Sequence, residues 1–148
     1  MDEAEFYAAI PVLRQEIGDR AVLRAIHIFN ENRRVDKIVE ALQHGDFDRF
    51  LALVRESGRS SWVYLQNVVV CGSTQDQAAA IALALCEKVL GERGAFRIHG
   101  GGFGGTVQAF VPNDLLDAFR TEIEAVFGED SCRVMQIRPV GFTEIKLK

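Results

Sequence analysis

The sequence predicts an α+β fold, helices plus a four-stranded, mostly antiparallel sheet, and three observations carry that expectation. Apolar residues recur at helical offsets through the first half, as at Val35, Ile38, Val39 and Leu42. Short apolar runs of strand length replace them in the last third. A run of five glycines in six positions, 100–105, separates the first two of those runs. Helices gathered ahead of a sheet define the α+β class.

Taken in order, residues 2–18 read as a helical lead-in broken by Pro11 and Gly18. Asp19 can cap a helix to about Asn32, with Val22, Ile26 and Phe29 on one face. The stripe from Val35 to Leu42 reads as a further helix, ended by Gly45. Asp46 can cap the next, where Phe47, Phe50, Leu51 and Val54 repeat the same offsets. The serines and Gly58 within 57–61 suggest a turn, and 68–70 a short strand or extended loop. Thr74-Gln75-Asp76-Gln77 has capping-box form, opening a helix to about Leu90 with Ile81, Leu85 and Val89 on one face. Strands are expected at Ala95–Ile98, 106–111, 132–138 and 142–147. A helix from Pro112-Asn113 carries the stripe Leu116, Phe119, Ile123, Val126 and Phe127 and stops at Gly128.

Composition narrows the function classes. The 148 residues are 48% apolar and 26% charged, which suits one domain over 1–148. A net charge of −4 gives no basic surface for nucleic acid. No apolar run approaches the ~20 residues of a membrane span. The acidic start Met1-Asp2-Glu3 is unlike a secretory or transit leader. Cys71, Cys86 and Cys132 are odd in number and widely spaced, which argues against a disulfide framework or a zinc site. A cytoplasmic protein is the expected reading.

The sharpest local feature is His99-Gly100-Gly101-Gly102-Phe103-Gly104-Gly105-Thr106. Glycine is costly to order, so such a run belongs where backbone turns sharply or approaches a ligand. Successive free N–H groups can also form a concave anion site. Gly100, Gly102 and Gly105 formally match G-x-G-x-x-G, but a dinucleotide fingerprint needs a helix next, and a strand is expected there. No Gly-Lys pair exists to make a P-loop. A glycine hairpin that merely holds two strands together is the plainer alternative.

The segment Gly94-Ala95-Phe96-Arg97-Ile98-His99 with the glycines after it resembles the third signature of the GHMP sugar kinases, galactokinases in particular. Arg24-Ala25-Ile26-His27, Glu31-Asn32-Arg33-Arg34-Val35, Gly45-Asp46 and Glu56-Ser57, in that order, are similar to the galactokinase helical segment. Arg138-Pro139-Val140-Gly141 fits the family's last strands. The resemblance covers about 19–148. His99 stands where galactokinases usually have Thr, Thr106 where they often have Cys; 59–93 differs from the commonest galactokinases, and 60–67 looks like a divergent bacterial branch.

The resemblance implies a ferredoxin-like C-terminal domain of a galactokinase. The intact enzyme transfers the γ-phosphate of ATP, with Mg²⁺, to the anomeric hydroxyl of galactose or a related sugar. The phosphate loop, sugar signature and catalytic aspartate belong to an N-terminal kinase domain whose motifs do not occur in these residues. The chain is therefore expected to be inactive alone and to hold neither ATP nor Mg²⁺ by itself. Its contribution is the loop of His99, Gly100, Gly101, Gly102, Phe103, Gly104 and Gly105, which closes the cleft.

His27, His44 and His99 are dispersed, and no second His or Cys sits a helical turn away from His27. Trp62 and Tyr64 read as packing residues, and the charges over 31–37 as a solvated helix face. A face uncovered by the missing domain would favour self-association. Two further readings stay open: a non-catalytic small-molecule-binding domain of the same fold, and a ferredoxin-like interaction domain with a purely structural hairpin.

Overall fold

A computed structural model describes residues 1–137 and 139. Helix α1 spans Glu3–Ile17, α2 Asp19–Gln43 and α3 Phe47–Ser60, followed by a π-helical turn at Ser61–Leu65. An irregular stretch leads to α4, Ala78–Leu90. Strands β1, Ala95–Ile98, and β2, Val107–Phe110, are joined by the glycine loop. A 3₁₀ turn at Asn113–Leu115 enters α5, Leu116–Phe127.

The helix termini follow local chemistry. Asp2 and Glu5 form a reciprocal capping box at α1, and Phe6 is buried against Phe29, ring centroids 5.1 Å apart. These anchors hold α1 together through Pro11, which does not break it. Residues 19–43 contain no glycine or proline, so the two expected helices are one helix of 25 residues. Gly18, rather than Asp19, occupies the N-cap of α2. Asp46 caps α3 by accepting from the Arg49 N–H at 2.9 Å. The serines at 57–61 continue α3 and its π-helical turn instead of forming a loop. Helix α4 starts four residues after Thr74, because Ser73 Oγ takes the Asp76 N–H at 3.0 Å and the expected capping box does not form.

The predicted four-stranded sheet is corrected to two antiparallel strands among the described residues, with Ala95 opposite Phe110 and Ile98 opposite Val107. The expected strand at 132–138 is irregular through residue 137. Alternation stabilises a strand when one face is buried. Here Val134 is 60% exposed and Met135 and Ile137 are both 87% exposed, so neither face is covered. The expected strand at 142–147 lies outside the described residues. The short strand considered at 68–70 is likewise absent, although Val68 is buried in the core. The fold is helix-dominated around one hairpin, and the ferredoxin-like sheet is not present in the described residues.

The hairpin organises the core. Leu53 and Val54 of α3 pack with Phe50, Ala41 and Ala95, and the Phe50 and Phe110 rings meet edge to face at 5.0 Å. On the α4 side, Leu83 and Ala79 pack on Ile98 and Val68. Cys86 and Leu90 pack on Phe119 and Ile123 of α5. Of the expected α4 face, Leu85 and Val89 pack on the core but Ile81 is half exposed, and Ala79, Leu83, Cys86 and Leu90 are the buried residues. Helix α4 is apolar almost all round, so periodicity does not select its inner face. Val126 of the α5 stripe is also exposed.

Gly58 sets the approach of α3 to β1. A Cβ there would lie 2.7 Å from the Phe96 carbonyl oxygen and 3.3 Å from Arg97 Cβ. Gly58→Ala is expected to push the helix off the strand and to cost about 1–3 kcal/mol, the range for overpacking. Urea unfolding of the two proteins checks this, and an unchanged midpoint would show that the contact is not tight.

Candidate functional site

The glycine loop folds back on the segment after the π-helical turn. Its base is closed by the His99 N–H donating to the Thr106 carbonyl at 2.8 Å. Its tip is held by the Phe103 N–H donating to the Asn67 carbonyl at 2.6 Å. The Asn67 side chain donates from Nδ2 to the Gly101 carbonyl at 3.3 Å. Asn67 is buried, and sequence reasoning gave it no role. Its Oδ1 is buried without a partner among the described residues.

Glycine is required at Gly102 for two reasons. Its φ is +82°, and a Cβ would collide with the Asn67 carbonyl and lie 2.8 Å from Asn67 Cβ. Phe103 itself sits in the left-handed region at φ 58°, a conformation costly for a side-chain-bearing residue. Its ring is 45% exposed. The N–H groups of Gly100, Gly101, Gly102 and Gly104 have no acceptor among the described residues. Gly105 donates back to the Gly102 carbonyl at 3.3 Å, and His99 is exposed beside the loop. All seven sequence-predicted site residues therefore fall in one exposed turn, with four free amide donors.

The helical block that carried the resemblance converges elsewhere, on one polar network beneath β1. Ser57 Oγ donates to Glu31 Oε2 at 2.7 Å. Arg34 pairs with Glu31, and Arg97 Nη1 approaches Glu31 Oε2 at 3.6 Å. His27 Nδ1 lies 2.9 Å from Ser60 Oγ. Arg24 Nε donates to the Leu65 carbonyl at 3.4 Å, fastening α2 to the π-helical turn. The expectation of a solvated face over 31–37 fails for Glu31 and Arg34, whose side chains are only 18% and 12% exposed. Trp62, expected to pack, is instead 45% exposed.

Burial lowers the His27 imidazole below its ordinary value, and the Arg34 and Arg97 charges lower it further. Burial also lowers both guanidinium groups below the usual arginine value. Burial pushes the Cys86 thiol up to about 12, with Cys132 adding to the effect, and raises Cys132 as well. Both are protonated packing groups at neutral pH. Among the described residues, no group of three or more His, Cys, Asp or Glu side chains converges as a metal site. No helix of the described residues is long and apolar enough to cross a membrane.

Two outcomes follow from this geometry. Gly102→Ala is expected to break the Phe103–Asn67 bond, so the Phe103 amide should exchange with solvent at least about tenfold faster, the loss of roughly one hydrogen bond. Unchanged exchange by NMR would mean that the loop is not held by Asn67. For His27, the unfolded chain takes up a proton near pH 6.5 and the folded chain only at lower pH. Between those values the unfolded state binds more protons, so stability falls as pH drops below about 6.5, by up to ~1.4 kcal/mol per unit, and is flat above it. His27→Gln should reduce that slope in urea titrations at pH 7.5 and 5.5. An equal slope in both proteins would assign the acid sensitivity to other groups.

The chain is 31% identical over 106 residues to a galactokinase of Glaesserella parasuis serovar 5 (strain SH0165). The match covers 72% of this chain and 26% of that protein, so the chain spans about a quarter of the length of the relative it matches. No family model matches the chain. No solved structure matches it. Over most of its length, the chain is similar to one part of a galactokinase.

Proposed function

We propose that these residues form the C-terminal part of a galactokinase-like sugar kinase, in which the glycine loop closes the active-site cleft over the phosphates of ATP. The observation that carries this reading is the set of free amides at Gly100, Gly101, Gly102 and Gly104, presented on an exposed turn. Free backbone donors suit phosphate oxygens, and the absence of side chains lets the backbone come close. The similarity to a galactokinase supports galactose, or a related sugar, as the acceptor. ATP and Mg²⁺ would be held chiefly by an N-terminal kinase domain, with this loop adding neutral donors at the phosphate end.

In that role the loop orients rather than reacts. Phosphoryl transfer depends on positioning and on stabilising charge over the transferred group. The amides supply dipoles fixed in place by Asn67, so little reorganisation accompanies phosphate binding. Trp62 and Val63, just ahead of Asn67, and Phe103 on the loop are exposed apolar groups that suit a covering domain. Without that domain they favour self-association.

The test pairs two measurements of galactose-dependent ADP production with ATP and Mg²⁺. The 148-residue chain alone is expected to give no turnover. Joined to a phosphate-loop domain of a galactokinase, it is expected to give turnover that Gly101→Asp reduces about 10- to 100-fold, the scale of losing an electrostatic contact in the transition state. A Cβ at Gly101 meets nothing within 4 Å, so the variant should fold normally. Turnover by the chain alone, or full activity of Gly101→Asp, would overturn the proposal.

A further inference from the structure

A second feature involves Gln66 and Val68, the chain neighbours of Asn67. A cavity of about 370 Å³ opens between the first turn of α2 and the segment after α3, lined by Arg20, Trp62, Gln66, Val68, Val69 and Cys71. That volume falls within the range of small-molecule sites. Arg20 is the one charged residue in the lining. Its Nη1 donates to Cys71 Sγ at 3.0 Å and its Nη2 to the Gln66 carbonyl at 3.4 Å. Its Nε is buried without a partner among the described residues. No carboxylate among the described residues pairs with it.

A half-buried guanidinium with only neutral partners and one orphan donor lacks the counter-charge that such groups ordinarily acquire. The apolar part of the wall is the Trp62 indole, Val68 and Val69, with Gln66 and Cys71 beside Arg20. Charge at one point and flat apolar surface around it select a particular ligand shape. We infer that this cavity binds a small organic anion, a carboxylate or phosphate carried on a planar apolar body, with Arg20 gripping the anionic group and Trp62 covering the ring. Cys71 is exposed, and its thiol sits where the anion would share Arg20.

Trp62 is the single tryptophan of the chain and lines this cavity, so its emission reports on ligand binding there. The experiment titrates the full chain with benzoate, with AMP and with uncharged benzyl alcohol, exciting the indole selectively. Saturable change with benzoate or AMP, and none with benzyl alcohol, is the expected result. A stronger response to benzoate assigns the site to carboxylates, and a stronger response to AMP assigns it to phosphates. Arg20→Gln should weaken binding by about tenfold or more, the equivalent of one charged hydrogen bond. Cys71→Asp, at an exposed position, should weaken it similarly by supplying Arg20 with an internal carboxylate. Circular dichroism confirms that each variant is folded. No saturable response to either anion, an equal response to benzyl alcohol, or unchanged affinity in both folded variants would overturn the inference.

Discussion

The described structure depends on how closely α3 can lie against β1. A strand of four residues has little surface of its own, and Ala95 and Ile98 are nevertheless almost completely buried. That is possible because Gly58 lets the helix backbone approach the Phe96 carbonyl. With the strand held there, Leu53 and Val54 reach Ala95 on one side while Leu83 reaches Ile98 on another. Gly94 repeats the device, placing backbone near the Phe110 carbonyl and Leu90. The hairpin, the helix pairs and the placement of the glycine loop all inherit their positions from these approaches.

The polar network below β1 serves the same packing. Two arginines and a glutamate taken out of water would destabilise the domain if any were left alone. Glu31 meets Arg34, Arg97 and the Ser57 hydroxyl, so its carboxylate is engaged from three elements. His27 faces Ser60 and is disposed to stay neutral beside two positive neighbours. The residues that made the helical block recognisable are thus largely those that join α2, α3 and β1, and they lie apart from the loop that would meet a nucleotide.

Features governed by neighbours in sequence are legible from the residues alone. Gly45 and Asp46 at the α2–α3 junction, Gly128 at the end of α5 and the β1–β2 hairpin follow from caps and turns. Where an expectation fails, the deciding contact is distant or missing. Pro11 reads as a breaker, yet α1 continues through it while Phe6 packs on Phe29 from another helix. The alternation after Cys132 resembles a strand, yet Met135 and Ile137 have nothing among the described residues to bury them. Asn67 gives no signal, because its role arises from the loop folding back on an irregular segment. Composition singles out the glycine loop, while its clamp is invisible to composition.

Helix α1 is attached differently from the rest. Phe6 is its one buried side chain, seated on Phe29, and an exposed Arg33–Glu3 ion pair adds little. Stability in such a chain is graded rather than uniform. Among the described α-helices α1 buries the fewest side chains, so it is the element expected to open at the lowest cost. A single aromatic contact then sets how firmly the first helix, of fifteen residues, is seated on the second.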